Sequence, residues 1–174
     1  FTKKCKADPS GKAAPPDPAQ VGRHAAMKMV LPGARPVIAP DPSLNRWHSA
    51  AVGQALWLSV NDPTATKRES LTFMGQAVSL TARRNGLSFE MGDGHTVHCD
   101  ATTPWSPSVE PGSPSPTCGY TYQQAAPEGG YQVTAITSWD VTWSVLGHTG
   151  TVHIEKAGGQ MLPVGELESV VTRR

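Results

Sequence analysis

Fifteen consecutive residues, 131–145, follow a single two-residue period. Their odd positions read Tyr, Val, Ala, Thr, Trp, Val, Trp, Val, and their even positions are mostly polar, with Ile136 as the exception. Successive side chains of a β-strand point to opposite faces of the sheet, so the alternation predicts one half-buried strand. Its length is unusual for a strand and predicts a bend or a long ribbon. Trp139 and Trp143 share the apolar parity and are expected in the core.

Five shorter segments with the same period precede this strand. They predict further strands at 56–60, 71–73, 78–82, 87–91 and 95–99. Asn85-Gly86 lies between the third and the fourth, and both residues tolerate positive φ, so this dipeptide predicts a hairpin turn.

The residues after the long strand predict a turn and a return. Residues 146–150 are expected to reverse the chain, and 151–155 to pair back as a hairpin partner. Ala157-Gly158-Gly159 predicts a break in the strand. A last edge element is expected over 162–170.

The N-terminal part has a different character. Residues 1–16 are rich in Lys, Ala, Pro and Gly, bury too little apolar surface to offset their ordering entropy, and are interpreted as a disordered or extended tail. Asp17 followed by Pro18 predicts a helix N-cap and first turn, with the helix ending near Leu31 before Pro32-Gly33. Residues 35–42 contain three prolines and are expected to be extended or at a sheet edge.

These elements predict an all-β chain, an antiparallel β-sandwich with one short N-terminal helix. The expected organisation is a tail at 1–16, a helix plus proline-rich segment at 17–49, and a sandwich at 50–174. The 15 Lys and Arg nearly balance the 14 Asp and Glu, which argues against nucleic acid as a partner. No apolar run is long enough to predict a membrane span. Because the chain begins with Phe1, we expect it to be processed or part of a longer chain.

Three cysteines are present, so at most one bridge can form within the chain. Cys99 and Cys118 flank a proline-rich excursion at 101–117, which is interpreted as a long loop closed by a disulfide. Reduced thiols at both positions are the alternative. Cys5 lies in the tail, where pairing with another chain remains open.

Three segments occur in an order that resembles a known family. Phe89-Glu90-Met91-Gly92-Asp93-Gly94 is similar to the strand and turn of PKD domains, which read aromatic-Asp-Phe-Gly-Asp-Gly. Tyr120-Thr121-Tyr122 resembles the family's His-Thr-Tyr segment, and 130–135, which includes Tyr131, resembles its Gly-x-Tyr-x-Val-x-Leu strand. Over a longer stretch the chain resembles exported actinobacterial proteins that carry this core.

This resemblance implies an immunoglobulin-like, extracellular or cell-surface module that spaces, adheres or assembles without catalysis. The motif residues are expected to be structural. Phe89, Glu90 and Met91 depart from the family's Trp, Asp and Phe, but the two core positions stay apolar. From the residues themselves, Asp93 is expected to cap its own turn, and Tyr122 to pin the sandwich corner by a tethered hydroxyl.

Metal and enzyme chemistry find little support in the sequence. His95 and His98 are three apart on a strand and point to opposite faces, and no convergent zinc spacing occurs. Glu90, Asp93 and Asp100 are the candidate calcium donors, with turn capping as the alternative role. No Gly-x-Ser-x-Gly nucleophile motif is present. We therefore predict a non-enzymatic protein without a cofactor.

Two tryptophans remain as candidate ligand contacts. Trp57 alternates with Leu56 and Leu58 and is expected on the outer face of its strand, and Trp105 lies in the proline-rich loop. Exposed indoles there would bind polysaccharide or anchor a protein contact. For Trp105, packing into a small core of its own loop is the alternative. The first prediction is a structural or interaction protein whose partner is another protein or its own copies, at the cell envelope or in a filament. Carbohydrate binding is the alternative.

Overall fold

The computed structural model describes residues 13–167. In chain order its elements are helix α1 (Pro18–Met27), β1 (Pro36–Ala39), a 3₁₀ turn (Pro42–Leu44), β2 (Ala50–Ala51), β3 (Leu56–Val60), β4 (Thr66–Phe73), β5 (Gln76–Glu90), β6 (Thr96–His98), β7 (Gly119–Tyr120), β8 (Tyr131–Val145), β9 (His148–Leu162) and β10 (Val164–Gly165). The predicted segments of the tail that precede residue 13, Cys5 among them, and of the edge element beyond residue 167 lie outside the described residues.

The long alternation forms a single strand, as predicted, and organises a large antiparallel sheet in the order β4-β5-β8-β9, with β6 on β5. Strand β8 pairs along its whole length with β9 and along most of it with β5. Two-residue loops join the hairpins, at Met74-Gly75 and at Leu146-Gly147. All four residues have positive φ, which gives the turn the twist that adjacent strands require.

The hairpin predicted at Asn85-Gly86 is wrong. Both residues lie inside β5, where the register against β8 shifts between Arg84 and Gly86. This β-bulge reverses the side-chain parity: buried positions are even before it, as at Ala82, and odd after it, as at Leu87. The sequence pattern of two offset alternations is the same for a turn and for a bulge, so it could not distinguish them.

The break predicted at 157–159 is also wrong, because β9 continues through it to Leu162. At both glycines, other groups lie so close to the backbone that a side chain would not fit. A Cβ on Gly158 would lie 3.0 Å from the backbone nitrogen of Arg35, and one on Gly159 would lie 2.4 Å from the side-chain nitrogen of Gln132. Glycine in this strand marks the close approach of another group rather than the end of the strand.

A small sheet of order β1-β3-β7 covers one half of the large sheet. The predicted edge position of the proline-rich segment is confirmed, since β1 pairs with β3 and with no other strand of the described residues. Between the sheets lies the sandwich core, formed by Ile38, Ala50, Leu56, Leu58, Val60, Leu87, Phe89, Met91, Cys99, Cys118, Tyr122, Val133, Ala135, Leu162 and Val164.

Helix α1 covers the other half of the same face. It packs over a second cluster, the helix core, which contains both tryptophans of β8: Val21, Ala25, Ala26, Met29, Leu31, Val78, Leu80, Ala82, Trp139, Val141, Trp143 and Val145. The core position predicted for Trp139 and Trp143 is confirmed. Buried Thr137 stands between the two cores, and its hydroxyl accepts a hydrogen bond of 3.1 Å from the indole nitrogen of Trp139.

The helix begins as predicted and ends earlier. The Asp17 carboxylate accepts from the Ala19 amide at 3.1 Å, with Pro18 in the first turn. The last helical residue is Met27, four positions before the predicted end. Met29 and Leu31 are buried while Val30 between them is 74% exposed, so this segment buries alternate residues as extended chain does.

The observed architecture is mostly β, with antiparallel large and small sheets, and is consistent with the predicted all-β sandwich. The predicted final edge element is present in part: Val164–Gly165 forms β10 and pairs in parallel with β2. Over residues 13–167, no helix has the length and apolar character needed to cross a bilayer.

Candidate functional site

The Gly92-Asp93-Gly94 segment forms the turn that the sequence predicts. Both glycines have positive φ, and a Cβ on Gly92 would lie 2.6 Å from the carbonyl oxygen of Gln132. The Asp93 carboxylate accepts from the His95 amide at 3.1 Å, which confirms its predicted capping role. The turn therefore needs glycine for space as well as for its backbone angles.

Tyr122 pins the corner next to this turn, as predicted. Its ring is fully buried, and its hydroxyl donates to the Met91 carbonyl at 2.7 Å. Tyr131 stacks on it with ring centroids 4.7 Å apart, and Tyr120 meets it edge-on at 4.9 Å. The three tyrosines of the family-like motifs thus form one aromatic cluster that joins β7 and β8 to the end of β5.

Tyr120 and Asp93 complete this corner. The Tyr120 hydroxyl donates to the Asp93 carboxylate at 2.6 Å. Burial raises the pKa of Tyr120, and the hydrogen bond to the carboxylate raises it further. Partial burial acts to raise the pKa of Asp93, but hydrogen bonds from Tyr120 and His95 outweigh it and the net pKa is lowered. Both groups stay in their ordinary charge states at neutral pH, which is typical of a structural pair.

The other motif residues separate by face. Phe89 and Met91 are fully buried, and Glu90 between them is exposed. The three candidate calcium donors do not form a group: Asp93 is bound in the corner, and Asp100 lies at a separate cavity described below. In the described part of the chain, no three His, Cys, Asp or Glu side chains come together as metal ligands.

The proline-rich loop carries the remaining predicted site residues. Cys99 and Cys118 form the predicted disulfide at its base, with a Cα–Cα distance of 5.6 Å. Trp57 does face outward from β3, but the loop covers it. Its side chain is buried, and the indole nitrogen donates to the Ser113 carbonyl at 2.8 Å. Trp57 is therefore buried beneath the loop rather than exposed at the surface.

Trp105 is half-buried and borders an open groove of about 600 Å³. We call this concave surface the tryptophan groove. Its lining is mainly apolar, and it consists of Pro40, Asp41, Leu44, Asn45, Trp47, Ser49, Ala51, Val52, Gly53, Gln54, Trp105 and Leu167. A smaller cavity of about 330 Å³ adjoins it, shares Pro40, Gln54 and Trp105, and reaches Trp57.

Three of the exposed large apolar side chains of the described residues converge on this groove. Leu44 is 84% exposed, Trp47 is 55% exposed and Leu167 is 60% exposed. The loop at 42–49, which carries Leu44 and Trp47, is fixed by Asn45. The carbonyl of the Asn45 side chain accepts from the Trp47 amide at 3.0 Å, and its amino group donates to the Ser49 carbonyl at 2.8 Å.

A third cavity, also of about 330 Å³, opens at the bulge of β5 and is polar. It is lined by Arg84, His98 and Asp100 among others. Among residues 13–167, the one sulfur in the lining belongs to Cys99, which is held in the disulfide. The described lining therefore brings charged groups together without a free thiol nucleophile.

Sequence reasoning identified Trp105 and missed Trp47. The signal was present, since Trp47 lies in a polar stretch between Arg46 and His48, with no alternation that would carry it into a core. Arg46 places its guanidinium 4.4 Å from the centre of the Trp47 ring. Leu167 could not have been found, because its place at the groove depends on the pairing of β10 with β2.

Compared with models of protein families, with curated proteins and with solved structures, the chain matches none.

Proposed function

We propose that this chain is a non-enzymatic, PKD-like interaction module that holds an apolar segment of a partner protein in the tryptophan groove. One observation carries the proposal: Leu44, Trp47 and Leu167 leave more than half of their surface exposed and converge with Trp105 on one concave surface. Contiguous exposed apolar surface of this kind marks interaction sites, whereas single exposed residues do not. Aromatic side chains at its centre suit an anchor for a partner.

The polar groups of the groove favour a protein segment over a sugar. Sugar recognition needs free hydrogen-bonding groups that face the hydroxyls. Here the Asn45 side chain is bonded at both ends within its own loop. One oxygen of Asp41 accepts from the Ser43 amide, and the side-chain oxygen of Gln54 accepts from the Ala51 amide. Much of the polar capacity therefore stabilises the groove, and the free surface is apolar.

An extracellular or cell-surface location accompanies this proposal. The Cys99–Cys118 disulfide closes the base of the loop that carries Trp105. Disulfides persist in oxidising compartments and are rare in reducing ones. An exported module, which meets its partner outside the cell, is the setting in which this loop would keep its bridge.

Carbohydrate binding is the second candidate, because two tryptophans border the groove. An exposed indole can stack on a sugar ring. Trp105 and Trp47 would supply the platforms, but the Arg46 guanidinium already covers one face of Trp47.

Peptides displayed on phage and selected on the folded protein test the first candidate. The proposal expects selected peptides rich in apolar residues, whose affinity falls about tenfold or more on Leu44→Ser, since a buried leucine side chain contributes roughly 1.5–3 kcal/mol. The matched control is Leu146→Ser, an equally exposed leucine in the β8–β9 turn, which should leave the affinity unchanged.

Retention on insoluble cellulose and chitin tests the second candidate with the same proteins. Retention that Trp105→Ala abolishes, together with no selected peptide, would replace the protein partner with polysaccharide. Selected peptides that bind equally well to the Leu44→Ser and Leu146→Ser proteins would overturn the groove as the binding site.

A further inference from the structure

The two edges of the large sheet differ in how they are protected against pairing. Strand β4 is eight residues long and carries Lys67, Arg68 and Glu69 in succession. Short edges with charged side chains discourage strand addition. Strand β9 is fifteen residues long, contains no proline, and has a single pair of adjacent charges at Glu155 and Lys156. The β9 edge is therefore the open one.

The outer side of β9 has free hydrogen-bonding groups. Among residues 13–167, the backbone of His148–Leu162 is paired with β8 and makes no backbone hydrogen bond to another segment. In an antiparallel pair, a strand directs about half of its N–H and C=O groups to each side. An edge of fifteen residues extends over roughly 50 Å, so it offers a long row of unpaired groups.

The side chains along β9 are self-complementary in one antiparallel register. With Ile154 opposite its own copy, His153 of each chain lies opposite Glu155 of the other, and this pairing occurs twice. Moving the centre to Glu155 would place two carboxylates opposite each other, which is unfavourable. Moving it to His153 would place two imidazoles opposite each other. Of these three registers, the one centred on Ile154 is favoured, because it alone places a carboxylate opposite an imidazole.

The surroundings of the two residues agree with this register. His153 and Glu155 are exposed and share the outer face of the sheet, away from both cores. His153 is hydrogen-bonded to Asp140, and Ser138 donates to Glu155 at 3.3 Å. The neighbouring β8 thus holds both side chains on the outer face, where they could meet the opposing strand.

We propose that a second copy of this chain pairs antiparallel along β9, so that the two large sheets join into one continuous sheet across a twofold axis at Ile154. The partner is a copy because the complementarity is internal to one strand. The contact is separate from the tryptophan groove, so the two proposals can fail independently.

Light-scattering mass in a Cys5→Ser background tests the pairing without interference from the tail thiol. The proposal expects twice the 18.4 kDa of one chain at micromolar concentration. Glu155→Lys places a cation opposite His153 at both ends, so the dissociation constant should rise about tenfold or more. The matched control is Glu69→Lys on the protected β4 edge, which changes the charge equally and should leave the mass unchanged.

Disulfide trapping tests the register and also decides the case if Glu155→Lys fails to fold. Ile154→Cys should link two copies on mild oxidation, because opposed Cα atoms in an antiparallel strand pair lie about 4.5–5.5 Å apart, within the range that a disulfide spans. Thr151→Cys alone should not link, whereas Thr151→Cys combined with Ala157→Cys should. A monomeric Cys5→Ser protein at millimolar concentration, or a dimer that Ile154→Cys does not link, overturns the proposal.

Discussion

At the scale of single residues, the corner formed by Asp93, Tyr120 and Tyr122 is the part of the chain most closely specified by short motifs. Tyr122 and Asp93 do what their positions predicted, one by a tethered hydroxyl and one by capping a turn. The Asp93 cap acts two residues along the chain and could be inferred from its turn. The Tyr122 hydroxyl reaches a carbonyl 31 residues away, and its role was inferred from the corner position of the tyrosine rather than from a local contact. The burial of Trp57 depends on where a loop of the tertiary structure lies, and sequence could not give it.

Tyr122→Phe should lower the free energy of unfolding by about 1–2 kcal/mol, because the buried Met91 carbonyl loses its donor while the ring stays in place. Denaturant unfolding followed by circular dichroism measures this. The control is Tyr131→Phe, whose hydroxyl makes only exposed hydrogen bonds of 3.1 Å and 3.4 Å and should contribute less. If both variants lowered the free energy of unfolding equally, the hydroxyl of Tyr122 would have no special role in holding the corner.

Asp93 predicts a pH dependence of stability. Its pKa in the folded state is lowered, so its contribution is present above the unfolded value of about 4 and is lost as the pH falls through the lower folded value. Asp93→Asn should therefore cost about 1 kcal/mol near pH 6. The gap between wild type and variant should close toward pH 2. Urea unfolding at several pH values checks this, and a gap that widens on acidification would contradict it.

At the scale of elements, period and length predicted the strands better than glycine predicted their ends. The fifteen-residue alternation of β8 was correct, since one face of the strand is buried from end to end. Asn85-Gly86 and Gly158-Gly159 were interpreted as a turn and a break, and both lie inside strands. Glycine reports a local need for space or unusual backbone angles, and only the tertiary contacts reveal which element has that need.

Gly22 in helix α1 is also a glycine required for space. Alanine is the better helix former by about 1 kcal/mol, yet a Cβ on Gly22 would lie 2.1 Å from the ring of Trp143. We expect Gly22→Ala to destabilise the protein by about 1–3 kcal/mol, as overpacking does. Thermal unfolding measures the change, with exposed Gln20→Ala as the control in the same helix. A stabilised Gly22→Ala protein would show that the helix does not pack on Trp143.

At the scale of the whole molecule, one large sheet carries two cores on the same face. The small sheet covers one core and α1 covers the other, while β5 and β8 run through both. An all-β sandwich with one helix could be predicted from the alternating segments. The division of its face could not, because it depends on where α1 and the small sheet pack against strands distant in sequence.

Shared strands predict that the two cores unfold together. Hydrogen exchange of α1 amides and of β3 amides, measured in rising denaturant, should converge on one global opening. Tyr122→Phe in the sandwich core and Gly22→Ala at the helix core should each lower the free energy of opening of the α1 amides and of the β3 amides. If Gly22→Ala accelerates exchange in α1 and leaves β3 unaffected at every denaturant concentration, the cores are separate cooperative units.

The central claim, that the tryptophan groove holds a partner segment, is tested most directly by fluorine NMR of the 5-fluorotryptophan protein. Five resonances are expected, one for each tryptophan. On titration with a selected apolar peptide, the signals of Trp47 and Trp105 should shift together. Those of Trp139 and Trp143 serve as internal controls, since both are buried in the helix core, and they should stay in place. Binding that leaves Trp47 and Trp105 unshifted would contradict the account.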